Sequence, residues 1–282
     1  MMKKVVYLNG SYIPLSQAKL SLLSPGFLYG WGLFETMRAY NGKVFLLSSH
    51  IRRLIKSAEK IHIPVPFSQK LLAEAAEKTV KLNGYPSASV RITLWLGETQ
   101  CGKVAVFVQP YRPPKGYNKG WRALVVRARK EPSSVLTRIK SSCFLEHLLA
   151  RKEVHRRGCE EGLFLNTRGE LTEGTVTNLF IVKRGTVLTP PPCSGILSGI
   201  TRGVIFLLAK KLGISIRERK LFLKDLWEAE ESFLTNSLIE VMPLVTVNAR
   251  KVGQGIPGPL TKRLRKAYKD YVKEGTEKKL RD

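Results

Sequence analysis

The hydrophobic pattern of this chain changes period repeatedly, and that alone restricts it to a mixture of strands and helices. Val5-Val6-Tyr7-Leu8, Asn9-Gly10 and Ser11-Tyr12-Ile13 give a hairpin signal, because Asn-Gly accepts the positive φ angles of a tight two-residue turn. From Ser48 the spacing becomes helical: Ser48 or Ser49 is placed to cap, and Ile51, Leu54, Ile55, Ala58 and Ile61 share a face. Pro64 and Pro66 interrupt. A second helix is expected from Ser68, with Leu71, Leu72, Ala75, Ala76 and Val80 inward and Gly84 as its stop. Residues 87–96, 104–108 and 122–126 read as strands. Beyond them lie a helix around 142–156, short strands through 188, a helix from about 199 to 212, and strands near 214–217, 232–234 and 241–247. The chain closes on a basic amphipathic helix with Leu260, Leu264, Ala267, Tyr268, Tyr271 and Val272 on one stripe.

Strands and helices alternate on both sides of Pro110-Tyr111-Arg112-Pro113-Pro114-Lys115-Gly116, the richest Pro/Gly segment between two strands. The expectation is therefore an α+β protein of two domains, 1–112 and 121–282, joined by a linker at 113–120. With 282 residues, 43% of them hydrophobic, the chain can bury a sizeable core. Its 48 Lys+Arg against 22 Asp+Glu leave a net charge of +26, which points first to nucleic acid, a membrane surface or acidic small molecules as partners. Cys101, Cys143, Cys159 and Cys193 form no C-x-x-C pair, and the four histidines lack ligand spacing, so no metal is expected. The longest apolar runs fall far short of the roughly 20 residues that span a bilayer. A reduced, cytoplasmic protein without a membrane span is the expectation.

Two segments resemble phosphate sites. Gly97-Glu98-Thr99-Gln100-Cys101-Gly102-Lys103 lacks the Ser or Thr that a P-loop needs next, and a strand follows it instead of a helix, so it reads as a hairpin turn. Gly195-Ile196-Leu197-Ser198-Gly199-Ile200-Thr201-Arg202 leads a turn into an apolar helix, where unpaired N–H groups and the helix dipole favour an anion. Taken singly, this helix start, Lys140, Glu173 and Arg53 each have an ordinary explanation.

Taken in order they do not. Tyr29-Gly30-Trp31-Gly32-Leu33-Phe34-Glu35-Thr36-Met37-Arg38 is followed by His50-Ile51-Arg52-Arg53-Leu54 and by Lys140 before a helix. Then come Leu171-Thr172-Glu173-Gly174 with Asn178, Gly199-Ile200-Thr201-Arg202 and Phe233-Leu234-Thr235-Asn236-Ser237. The series resembles the class IV aminotransferase family, pyridoxal-phosphate enzymes of fold type IV. That family includes branched-chain and D-amino-acid aminotransferases and 4-amino-4-deoxychorismate lyase. The resemblance implies a D-amino-acid-aminotransferase-like fold, with a smaller N-terminal α/β domain and a larger C-terminal pseudobarrel that binds the cofactor.

By that resemblance Lys140 forms the internal aldimine with pyridoxal 5'-phosphate and shuttles a proton, and Glu173 faces the pyridine nitrogen. Arg53 and the backbone N–H groups of Ile200 and Thr201 hold the phosphate, with Asn236 and Ser237 where family members place phosphate-binding polar residues. Leu197 packs on the ring, and Tyr29, Phe34 and Arg91 lie where substrate binds; Arg91 is alternatively a solvent-facing strand residue. A homodimer taking a small anionic or amino-acid substrate is implied, with neither nucleic acid nor membrane as partner. Basic residues interleaved with aromatics around Tyr111–Arg122 would suit RNA, yet no RNA-binding signature accompanies them.

Thr36 and the run Thr235-Asn236-Ser237-Leu238 look more like the lyase, in which Thr36 would assist proton transfer. The expected reaction is accordingly release of pyruvate and 4-aminobenzoate, a step of folate biosynthesis. A class IV aminotransferase using branched-chain or D-amino acids with 2-oxoglutarate is the alternative. The Thr-Arg-Gly carboxylate trap of D-amino-acid enzymes is replaced by Trp95-Leu96-Gly97, while Trp31 and Cys143 depart from the lyase pattern.

Overall fold

A computed structural model describes residues 4–277, and these fall into two compact units. The first comprises 4–112, 139–143 and 274–277; the second comprises 113–138 and 144–273.

The first unit holds β1 (Val5–Leu8), β2 (Ser11–Pro14), the single turn α1 (Pro25–Leu28), β3 (Gly32–Tyr40), β4 (Lys43–Val44), α2 (Leu47–Lys60), α3 (Gln69–Asn83), β5 (Ser87–Leu96) and β6 (Gly102–Pro110). Its strands form an antiparallel sheet in the order β2-β1-β6-β5-β3-β4. The Asn9-Gly10 turn forms as expected, with both residues at positive φ. Alternation along β5 buries Ala88, Val90, Ile92 and Leu94 against Ile51, Leu54 and Ala58 of α2 and Leu72, Ala76 and Val80 of α3. The other face carries Phe34, Thr36 and Arg38, with Thr93, Arg91 and Ser89 as their partners across β3 and β5.

Ser68 caps α3 by accepting from the Leu71 N–H at 3.1 Å, and Gly84 ends it at φ 67°. Leu71 itself faces out. Ser48 and Ser49 do not stand at the cap of α2: the helix begins earlier, behind Leu46 in the left-handed region, whose side chain makes no capping bond. Burial of Leu47, His50 and Ile51 fixes that start in place of a cap. Residues 97–101 make the β5–β6 hairpin turn, the Gly97 N–H donating to the Cys101 carbonyl at 2.9 Å.

The second unit holds β7 (Trp121–Lys130), α4 (Leu145–Arg156), β8 (Glu161–Asn166), β9 (Leu171–Gly174), β10 (Asn178–Lys183), β11 (Thr186–Thr189), α5 (Ile200–Lys211), β12 (Ile216–Glu218), α6 (Leu223–Trp227), β13 (Glu231–Asn236), β14 (Glu240–Val247) and β15 (Arg250–Lys251). The helix α7 (Pro259–Glu277) follows. Strand pairing runs β10-β13-β14-β7-β8-β9 and back to β10, a closed ring of six, with β11 and β12 continuing outward from β10. Closure leaves none of those six strands as a bare edge. Strands β8, β10 and β13 are buried at nearly every position, so burial along them does not alternate as it does along β5.

Two boundaries differ from the sequence expectation. Residues 139–143 go with the first unit, because the Phe34 N–H donates to the Lys140 carbonyl at 2.9 Å and the Ser142 N–H to Gly32 at 2.8 Å. The segment takes the side of β3 not used by β5. Residues 113–120 are no free linker: Tyr117 donates to Glu240 at 2.9 Å, and the Trp121 indole donates to the Lys115 carbonyl at 2.9 Å. The apolar stripe of the basic helix α7 buries Leu264, Tyr268 and Val272, and the rest of the basic run, 278–281, lies outside the described residues.

Candidate active site

In the first unit Phe34 is the common neighbour. Alternation puts it on the sheet face opposite the helices, where the Arg91 guanidinium stands 3.8 Å and the Lys140 ammonium 4.6 Å from its ring centroid. Arg91 also donates from Nε to the Thr93 hydroxyl at 3.3 Å, and burial pushes its pKa below the ordinary arginine value. Thr36 lies directly across from Arg91 in the β3/β5 register. Lys140, Phe34, Thr36 and Arg91 are therefore brought together. Tyr29 is not part of this group: it ends α1 with its side chain 72% exposed. Trp31 is a structural pin whose indole N–H donates to the Ile61 carbonyl at 2.8 Å, and the Cys143 sulfur lies 3.4 Å from the Gly30 carbonyl.

Arg53 belongs to a network that sequence reasoning missed. Its Nε and Nη2 donate to the two oxygens of Glu35 at 2.7 and 2.6 Å, while His50 Nδ1 lies 2.7 Å from Glu35 Oε2. Burial by itself would raise the Glu35 pKa, but the adjoining Arg53 charge and the bonds from His50 and Arg53 outweigh it and hold the carboxyl at about 2. Burial pushes His50 down against the pull of Glu35, helped by the Arg53 and Lys140 charges. The ring is thus neutral and carries its proton on Nδ1, facing the ionised carboxylate. The signal was present in the sequence as an acidic residue inside an apolar strand, Glu35, which a strand facing a core carries only when paired.

The second unit gathers another set. Glu173 at the end of β9 receives Lys130 on Oε1 and, on Oε2, the Leu197 N–H at 3.0 Å and the Asn178 amide at 3.2 Å. Asn178 also donates to the Leu197 carbonyl at 2.9 Å, so Leu197 is clamped beside Glu173 at both ends of its backbone. Gly199 precedes α5, and any Cβ there would collide with the Asn178 side-chain oxygen, so the close approach needs glycine. The N-cap of α5 is Gly199, which has no side chain to offer, and the N–H groups of Ile200 and Thr201 lie at the positive end of the helix dipole. Asn236 is committed to its own turn: its carbonyl accepts from the N–H groups of Leu238 and Ile239, both at 2.8 Å, and its amide donates to Val176. Ser237 is half-buried in the same turn. Lys130, buried on Glu173, went unnoticed because one lysine among 48 basic residues carries no signal of its own.

These residues fit pyridoxal phosphate. A carboxylate offers about four acceptor positions, and with three donors in place Glu173 can take one more N–H, such as a protonated ring nitrogen. The start of α5 behind Gly199 suits the phosphate; the first unit, by itself, carries in Lys140 the amine that covalent attachment requires.

Comparison with known proteins agrees. Residues 32–247 match the model of the amino-transferase class IV family. The chain is 36% identical over 274 residues to a putative branched-chain-amino-acid aminotransferase of Methanocaldococcus jannaschii, covering 94% of this chain and 95% of that one. It is 32% identical over 281 residues to the aminodeoxychorismate lyase of Bacillus subtilis, covering 95% of each. Among solved structures, the branched-chain amino acid aminotransferase of T.th. with pyridoxamine 5'-phosphate superposes with a TM-score of 0.91 at 30% identity, covering 96% of this chain and 94% of that one. The chain belongs to the class IV aminotransferases, pyridoxal-phosphate-dependent enzymes of fold type IV.

Proposed function

We propose that the protein is an aminotransferase that moves the amino group of a branched-chain amino acid to a 2-oxo acid such as 2-oxoglutarate. The observation that carries this reading is likeness along nearly the whole chain to a branched-chain enzyme, at 36% identity. Thr36 and the 235–238 run lean toward the lyase, but they are short motifs set against a match of 274 residues. The aminotransferase therefore replaces the lyase as the main reading.

The bound cofactor supplies an electrophilic carbon for the substrate amine and an electron sink for the bond that breaks. The Lys140 amine takes the proton from the substrate Cα and delivers it back during the exchange. Glu173 holds a proton at the ring nitrogen, and the Ile200 and Thr201 N–H groups hold the phosphate. Arg91 receives a substrate carboxylate. Its partly desolvated guanidinium, backed by the Phe34 ring, gains more from an anion than a fully hydrated one would. Phe34 excludes water from the Lys140 amine.

A homodimer is part of this reading. Leu22, Leu23, Phe27, Leu28 and Tyr29 are each at least half exposed on the single chain, a contiguous apolar stretch of the kind that a second copy covers. All four cysteines are free, in keeping with a reducing compartment such as the cytoplasm.

One experiment separates the two reactions. Leucine or isoleucine, added to the holoenzyme without an acceptor, is expected to convert the cofactor's absorption to that of its amine form. No conversion, together with release of 4-aminobenzoate from aminodeoxychorismate, would overturn the proposal in favour of the lyase. That second reading is favoured by Thr36 facing Arg91 and by the 32% identical lyase.

A further inference from the structure

Lys130 stands outside the chemistry proposed above, yet it is a buried cation held on a carboxylate. The β7–β8 register shifts between Val125 and Arg129, and the Arg129 guanidinium gathers the carbonyls of Val126 and Arg127 at 2.7 and 2.8 Å. Such an irregularity re-aims the side chains that follow it. Lys130 consequently ends β7 opposite Asn166 with 6% of its surface exposed. Its ammonium bonds Glu173 Oε1 and lies 5.5 Å from the Phe164 ring centroid. A lysine this buried is rare unless paired, and here its partner is the carboxylate assigned to the cofactor's ring nitrogen.

That geometry gives Glu173 two cations to serve. A ring nitrogen that keeps its proton is positive, and so is Lys130, while the carboxylate between them carries a single negative charge. Lys130 orients Glu173 through Oε1, with Leu197 and Asn178 fixing the other oxygen. It also repels a second positive charge across the same carboxylate, where low dielectric makes the repulsion strong.

We propose that Lys130 is a positioning residue that acts through Glu173 to set how firmly the cofactor's ring nitrogen holds its proton. The inference rests on Glu173 facing that nitrogen. Weaker proton retention limits how much negative charge the ring can accept during proton transfer at the substrate. The neighbouring titratable groups are committed elsewhere. Glu161 accepts from the Thr175 N–H at 3.0 Å and the Thr177 hydroxyl at 2.9 Å, and His147 Nδ1 bonds the Thr175 carbonyl at 2.7 Å.

The test is nitrogen NMR on holoenzyme reconstituted with pyridoxal phosphate labelled with ¹⁵N in the ring, followed as a function of pH. In Lys130→Met the pH at which the ring nitrogen loses its proton is expected to rise by about one unit or more. Lys130→Gln, which keeps a donor for Oε1 without the charge, is expected to show the same rise, and Lys130→Arg is expected to match the wild type. An unmoved midpoint in the two uncharged variants, with Glu173→Gln shifted, overturns the role of Lys130 alone. If Glu173→Gln also leaves the midpoint unmoved, the placement of Glu173 at the ring nitrogen falls with it. Should the uncharged variants fail to fold, the wild type decides: a ring nitrogen still fully protonated at about pH 10, where lysine itself titrates, overturns the proposal.

Discussion

Glu35 illustrates what a single buried residue does to pH dependence. Its carboxyl lies at about 2 in the folded chain against an ordinary value of 4.5, so the folded state binds its proton less readily than the unfolded state. The corresponding stability, about 3 kcal/mol, is present above pH 4.5 and is lost as pH falls toward 2. His50 acts in the same direction: its lowered pKa means that acid below its ordinary 6.5 favours the unfolded chain. Urea unfolding followed from pH 7 down toward pH 2 is expected to show this loss, and Glu35→Gln to flatten the slope below pH 4.5. Arg53→Met leaves a buried carboxylate without its guanidinium, which is expected to destabilise the fold by about 3–5 kcal/mol in the same assay. Lys140→Ala removes the only amine assigned to covalent attachment and is expected to abolish the cofactor's near-visible band. A band that survives would remove Lys140 from the site.

Among the elements, α5 and the β9–β10 pair carry the most weight for function. Gly199 sits where Asn178 leaves no room for a methyl group, and Asn178 in turn holds Leu197 and Glu173. Gly199→Ala forces the start of α5 away, and overpacking of this sort costs about 1–3 kcal/mol. Loss of pyridoxal-phosphate affinity by roughly tenfold is expected, read by fluorescence titration of the apoprotein, with little change in its circular dichroism. The apolar face of the α2 helix, opposite in role to its Arg53 and His50, answers to packing. Leu54 is 2% exposed in the first core, and Leu54→Ala is expected to cost about 2–5 kcal/mol without altering the cofactor spectrum of the folded fraction.

The two units draw their stability from different sheet designs. An open antiparallel sheet covered by helices on one face leaves the other face for Phe34, Thr36 and Arg91, whereas a closed ring of strands needs no second cover along its edges. The exposed Leu22–Tyr29 stretch of the first unit is the part of the molecule that a single chain leaves unsatisfied. Leu23→Asp places a charge there, and sedimentation is expected to show it shifting the protein toward monomer. An unchanged dimer would remove this stretch from the interface. The +26 charge needs no polyanion to account for it, since most lysines and arginines lie on exposed faces and a few have named work. Arg53 holds Glu35, Lys130 holds Glu173 and Arg91 backs onto Phe34.

Sequence alone determined what depends on near neighbours in the chain. Asn9-Gly10 turns, Ser68 and Gly84 bound their helix, and residues 87–96 alternate because one face of β5 meets a core. The order of blocks from Phe34 to Asn236 was enough to reach the family, because residue type and spacing survive in sequence whatever the surroundings. Tertiary structure decided which of those residues meet. Residues 139–143 join the first unit through backbone bonds to β3, which no side-chain pattern encodes. Lys130 reaches Glu173 because an irregularity in β7 turns it inward, across 43 residues of chain. Glu35 finds its guanidinium 18 positions away for a similar reason. A buried charge is stable only beside a partner, and the identity of that partner is a property of the fold.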